Sequence, residues 1–165
     1  MAQALFQGSS AYGTVRFDIA AGTDDVPPLA GGVEVTIQLY NLTDGVHGIH
    51  IHAGDADDDC ELAGAHFCIG PSWGRKVPEG IPHGSWALGT PRHTGDLCNN
   101  VISRGGLAFF QYTDDLISMN PTSPAYIVGR SVVVHADADD CGFGNDPKSK
   151  VSGNAGGRVA CAVIR

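Results

Sequence analysis

Short runs of alternating apolar and polar residues recur along the chain, and clusters of Gly, Pro, Asn and Asp end each one early. Thr14 to Ile19 and Val33 to Leu39 are the clearest. Leu5-Phe6, Val46 to His52, Leu107 to Tyr112, Ile127 to Val134 and Val159 to Ile164 complete a set of seven or eight. A period of two sends successive side chains to opposite faces, the pattern of antiparallel strands with one face buried. No run of ten or more residues shows the three-to-four spacing of an amphipathic helix. The expected fold is therefore an all-β sandwich or barrel with Greek-key connections. Glycine, 23 of 165 residues, is about twice its usual share of ~7% and supplies the many turns.

At 165 residues the chain fits a single domain spanning 1–165, able to bury a core without a metal or disulfide to fold it. Ten basic against 18 acidic residues leave a net charge of −8 with no basic run. That balance excludes nucleic acid and anionic membrane as natural partners. No stretch approaches the ~18 apolar residues of a membrane span. The N-terminus lacks a basic segment followed by a long apolar one, so a cytoplasmic location is expected. An extracellular location would require that a signal peptide had been removed. The five cysteines, at 60, 68, 98, 141 and 161, form no C-x-x-C pair, and an odd count leaves at least one thiol unpaired within the chain.

Residues 53–98 and 136–157 break the rhythm of strands. Both are rich in Gly and Asp, and long structureless segments inside a compact domain are usually functional. All seven histidines lie in these segments or on the runs that border them. In Gly45 to His52, His50 and His52 are two apart and share one face, while Ile49 and Ile51 share the other and can enter the core. His47 has the opposite parity to His50 and His52 and reads as a packed structural histidine. His66, His83, His93 and His135 add further imidazoles, and Asp96 follows His93 by three residues. Six histidines and one aspartate exceed one tetrahedral site and suit two. An all-imidazole site suits copper, and a site of three histidines and one aspartate suits zinc.

Five segments together resemble the copper–zinc superoxide dismutase family of the eukaryotic type. They are Gly45-Val-His-Gly-Ile-His-Ile-His52, Gly64-Ala-His-Phe67, Arg92-His-Thr-Gly-Asp-Leu-Cys-Asn99, Gly129-Arg-Ser-Val-Val-Val-His135 and Gly153-Asn-Ala-Gly-Gly-Arg-Val-Ala-Cys161. The resemblance runs from about residue 13 to the end of the chain. It implies an eight-stranded, immunoglobulin-like Greek-key β-barrel or sandwich with two long functional loops. It implies copper on His50, His52, His66 and His135, and zinc on His66, His83, His93 and Asp96. His66 would bridge the two ions. Asp139 would link a copper histidine to a zinc histidine from the outer shell, and Cys60 and Cys161 would form a disulfide. The implied activity is disproportionation of superoxide to dioxygen and hydrogen peroxide. His66 would gain and return a proton, and Arg158 would bind the superoxide anion. A copper chaperone is an implied partner.

Several departures from the family pattern bear on these expectations. The step of 17 residues from His66 to His83 is longer than usual. Val151 stands where a steering lysine is expected, leaving Lys148 and Lys150 as candidates for that role. Cys68, Cys98 and Cys141 are extra; a second disulfide, Cys98–Cys141, is expected, with Cys68–Cys98 the alternative. Ala53-Gly54-Asp55 lacks the aromatic that helps family dimers pair, so a monomer or a weak, differently arranged dimer is expected. The rival functions are a copper-chaperone-like domain and a non-catalytic copper-binding module. The chaperone-like reading is disfavoured because such domains often lose a copper histidine or the arginine, and this chain keeps both.

Overall fold

In the computed structural model, residues 1–20, 32–57, 59–69 and 82–165 are described. Among them eight strands form one antiparallel sheet: β1 (Ala2–Gln7), β2 (Tyr12–Ile19), β3 (Val33–Tyr40), β4 (Gly45–His52), β5 (Asn99–Arg104), β6 (Leu107–Asp114), β7 (Ser131–His135) and β8 (Arg158–Val163). Their spatial order is β1-β2-β3-β6-β5-β4-β7-β8, so the chain crosses over twice, from β3 to β4 and from β6 to β7. Ala4 bridges Ile164, and Gln3 exchanges backbone hydrogen bonds with Arg165, which brings the two ends of the sheet together as a nearly closed Greek-key barrel. Among the described residues the regular helical content is one turn, α1 (Ser149–Ser152), and a 3-10 turn at Cys60–Ala63.

The alternation read from the sequence is the alternation the barrel uses. Val15 and Phe17 on β2, Val35, Ile37 and Leu39 on β3, Ile49 and Ile51 on β4, and Val132 and Val134 on β7 all point inward and are fully buried. β7 is buried on both faces. Its outward Val133 packs with Ala56 and Ala63 of the first loop, with Cys161 alongside. The loop lies over this part of the barrel and is joined to it by the Cys60–Cys161 disulfide, with Cα atoms 5.6 Å apart.

Two assignments change. Ile127–Arg130 is a turn rather than the start of a strand, and β7 begins only at Ser131. Conversely Asn99–Arg104, left outside the sequence-derived runs, is β5. Its buried residues are Asn99, Val101 and Ser103, and two of these three are polar. Their side chains satisfy backbone carbonyls, Gly84 for Asn99 and Leu42 for Ser103, so polarity inside does not oppose the fold. β5 turns into β6 through Gly105 and Gly106, both at positive φ, as a tight hairpin turn of this hand demands.

Candidate metal centre

β4 and β7 are hydrogen-bonded neighbours, with Ile49 opposite Val134 and His52 opposite Ser131. His50, His52 and His135 therefore leave the same outer face of the barrel at one end of that pair. His66 reaches them from the first loop, where an isolated bridge pairs it with His52. One nitrogen from each of His50, His52, His66 and His135 lies within 4.8 Å of the other three. A second set, His66, His83, His93 and Asp96, meets the same limit, and His66 belongs to both. Its ring centroid lies 4.1 Å from that of His50 and 5.3 Å from that of His83.

The hydrogen bonds leave one nitrogen of each ring in the first set for a ligand. His50 Nε2 donates to Asp139 Oδ2 at 2.6 Å, leaving Nδ1 buried with no partner among the described residues. His52 Nδ1 donates to Gly64 O at 2.8 Å, and its Nε2 faces His135 Nε2 at 3.4 Å. His66 Nδ1 lies 2.7 Å from Asp96 Oδ1, and its Nε2 is buried without a partner among the described residues. On the other side, His83 Nε2 donates to Asp139 Oδ1 at 2.8 Å. His83 Nδ1 sits 3.0 Å from Asp96 Oδ1 without a directed hydrogen bond. Unpartnered buried nitrogens converging on one point are costly unless a cation occupies it. A neutral four-imidazole set fits copper, and three imidazoles with one carboxylate fit zinc.

The two sets differ in charge. Burial, then the neighbouring His66, lowers His50 to about 3 and His52 to about 2; burial is also the main cause lowering His135 to about 4. Burial lowers His66 as well, against the pull of Asp96. His83 goes the other way. Burial opposes its charge, but its contacts with Asp139 and Asp96 prevail and raise it to about 9. Burial likewise pushes against ionisation of Asp96 and Asp139, yet the histidines around them hold both carboxyls well below their ordinary range. Asp96 also accepts backbone N–H groups from Gly84 and His93.

Outer contacts fix these ligands, and sequence reading found only some. His47 is packed as expected. Its Nδ1 lies 2.8 Å from His135 O and its Nε2 2.8 Å from Thr43 O, so it ties β4 to the end of β7. Arg92 donates to Asp96 O and to Asp114, holding the turn that carries His93 and Asp96. Asn99 adopts φ +67°, a left-handed conformation that Asn tolerates, and its Nδ2 donates to Gly84 O and Asp139 Oδ2. The sequence marks Arg92 and Asn99 only as the two ends of the segment around His93 and Asp96 and assigns neither a supporting role.

Arg158, on β8, reaches across to the first loop. Its guanidinium donates to the carbonyls of Cys60, Glu61 and Gly64. It lines a pocket with His52, His66, His135, Asn154 and Lys148, and no carboxylate lines it among the described residues. Lys148 thus reaches the mouth of the site, whereas the Lys150 ammonium lies 5.7 Å over the Phe143 ring. The expected Cys98–Cys141 disulfide is not formed, nor is Cys68–Cys98; all three thiols are free. Cys98 follows Asp96 closely in sequence, but its side chain enters the barrel core, while Cys141 stays in the second loop. Residues 70–81, within the long step from His66 to His83, lie outside the described residues.

Residues 11–164 match the family model described as copper/zinc superoxide dismutase (SODC). The chain belongs to the copper/zinc superoxide dismutase family. It is 43% identical over 153 residues to superoxide dismutase [Cu-Zn] A of Xenopus laevis, covering 92% of this chain and 87% of that protein. A crystal structure of the clock protein EA4 has the same fold, with a TM-score of 0.79 and 34% identity, covering 99% of this chain and 92% of that one. As a member of the family the protein is an enzyme that disproportionates superoxide to dioxygen and hydrogen peroxide, with copper and zinc as its cofactors.

Proposed function

We propose that this dismutase holds copper on His50, His52, His66 and His135 and zinc on His66, His83, His93 and Asp96. The observation that carries the assignment is the shared His66, whose two ring nitrogens face the two sets while Nε2 has no other partner. Bound copper supplies the one-electron redox chemistry of the reaction. The chain's own residues do the rest. Asp139 accepts hydrogen bonds from Nε2 of His50 and of His83 and so presents Nδ1 of each ring to its site. Arg158 binds the superoxide anion in the pocket mouth, its guanidinium fixed by three carbonyls. Lys148 adds a second cation there, which counters the repulsion of a −8 chain for an anion. His66 Nε2 holds the proton that is delivered to the forming peroxide.

The finer expectations belong to the same reading. The protein acts as a monomer or a weak, differently arranged dimer. In support, Ala53-Gly54-Asp55 offers no aromatic for a dimer patch, and the neighbouring Asp57 is paired with Arg165. It receives copper from a chaperone and works in the cytoplasm.

Reconstitution tests the assignment. One copper and one zinc should bind per chain, and the loaded protein should disproportionate superoxide. His66→Ala should still bind metal at reduced affinity but lose the magnetic coupling between copper and a cobalt ion placed in the zinc site. Copper binding without zinc at full loading would remove His83 and its partners from the assignment. Full copper and zinc occupancy without dismutase activity would favour the non-catalytic copper-binding module. Sedimentation at low micromolar protein tests the oligomeric state, where a dimer persisting on dilution to nanomolar would reject the monomer.

A further inference from the structure

Asn100 lies on β5, opposite Gly48 of β4 in register. Its side-chain amide makes two hydrogen bonds to the backbone of one residue 39 positions away. Asn100 Nδ2 donates to Asp139 O at 2.9 Å, and Asn100 Oδ1 accepts the Asp139 N–H at 2.8 Å. A primary amide meeting both the N–H and the C=O of one residue in this way copies the pairing of two strand residues. One contact would leave the residue free to swivel; two, on either side of its Cα, restrain its position and its orientation.

The residue so held has a demanding task. Asp139 is buried, and its carboxylate receives four donors: His83 Nε2 and the Cys141 N–H on Oδ1, His50 Nε2 and Asn99 Nδ2 on Oδ2. Both histidine contacts depend on where the loop backbone at 139 sits. That backbone belongs to a segment with no strand of its own between β7 and β8. The Cys141 N–H belongs to the same turn and moves with it. Asn99 Nδ2 contacts the carboxylate at 3.2 Å while its closer bond, at 2.6 Å, goes to Gly84 O. Two residues earlier the Gly48 N–H of β4 donates to Asp137 O, and at Asp139 itself the backbone is tied to the barrel by Asn100.

We infer that Asn100 is a positioning residue that pins the second loop to β5 and so holds Asp139 between the two ligand sets, whether or not ions are bound. Its effect on metal binding rests on the copper and zinc assignment above; its effect on the loop does not.

Two measurements test this. In metal-free protein labelled with nitrogen-15 and carbon-13, a scalar coupling should pass between the Asp139 amide nitrogen and the Asn100 side-chain carbonyl carbon. The Asp139 amide should also exchange slowly with solvent. In Asn100→Val, which suits a strand and keeps neither bond, that exchange should quicken at least tenfold while amides of β1 to β3 stay unchanged. Zinc affinity, measured against a competing chelator, should fall about tenfold, the low end of what loss of an outer partner costs. Absence of the coupling, or unchanged Asp139 exchange in the variant, overturns the inference. If Asn100→Val does not fold, the coupling in the unmodified protein decides. Failure of the unmodified protein to bind zinc would instead overturn the zinc assignment, leaving the coupling and exchange results to judge Asn100 on their own.

Discussion

Three of the proposed copper ligands stand on barrel strands, whereas all four proposed zinc ligands stand on loops. His50, His52 and His135 inherit their places from β4 and β7, whose inward Ile49, Ile51, Val132 and Val134 are locked in the core. Nothing charged is needed to bring them together, and burial keeps them neutral. His66, His83, His93 and Asp96 have no such scaffold. They are gathered around the Asp96 carboxylate, which takes contacts from three imidazoles and two backbone N–H groups. The barrel builds one site by hydrophobic burial, and the loops build the other by charge and hydrogen bonding. His66 and Asp139 join the two.

If loop order depends on ties to the barrel, the largest loss should come from cutting the strongest tie. The disulfide links residues 101 apart, and in the chain-entropy model closing such a loop is worth about 4–5 kcal/mol. Cys60→Ser should lower the unfolding free energy of metal-free protein by roughly that amount in a urea titration. A change under about 1 kcal/mol would mean that the loop is held by packing against Val133 alone.

The next effect separates the two sites directly. Asp96→Asn removes the charge around which the loop ligands gather. Zinc affinity should fall about a hundredfold, about 2.7 kcal/mol. Copper affinity in the zinc-free protein should change far less, because three of its four ligands are held by strands. Equal losses at both sites would dissolve the distinction.

Acid and alkali should probe the sites with opposite signs. His50, His52 and His135 have folded-state values of about 3, 2 and 4, below the ordinary 6.5. The unfolded chain therefore binds their protons first, and metal-free protein should lose stability as pH falls below 6.5 toward 4. His83, raised to about 9, works the other way: its contribution is full below 6.5 and disappears as pH rises through 9. Each contributing proton gives a slope of about 1.4 kcal/mol per pH unit. His50→Gln should flatten the acid limb and His83→Gln the alkaline one, both read by chemical unfolding across pH.

The smallest effect concerns Arg158, which ties β8 to the first loop and faces the pocket. Arg158→Ala should cost about 1–2 kcal/mol of stability through its lost carbonyl contacts. The dismutation rate of loaded protein should drop about tenfold at low salt and lose much of its ionic-strength dependence. A rate unchanged at low salt would remove the arginine from substrate binding.

Much of the barrel was legible because period-two alternation is a local property. The parity of His50 and His52 against Ile49 and Ile51 followed from it, and so did the inward placing of His47. β5 was not legible, since Asn99 and Ser103 take buried places that apolar residues would have marked. The Cys98–Cys141 expectation failed for a related reason. Closeness in sequence to Asp96 and Asp139 did not fix the direction of either thiol, and Cys98 turned into the core, where burial pushes it up to about 12.

By itself the sequence determined which residue types were available and which strand face each histidine of β4 would take, because side-chain alternation needs only local backbone geometry. The motifs carried the family and the ligand sets on the strength of resemblance. Only the tertiary structure decided that Asp139 bonds His50 and His83 at once, that Lys148 rather than Lys150 lines the pocket, and that Asn100 clamps a loop 39 residues away. Those outcomes depend on how two long loops settle on the barrel. No local pattern encodes that settling; it is set by many weak polar contacts between segments distant in the chain.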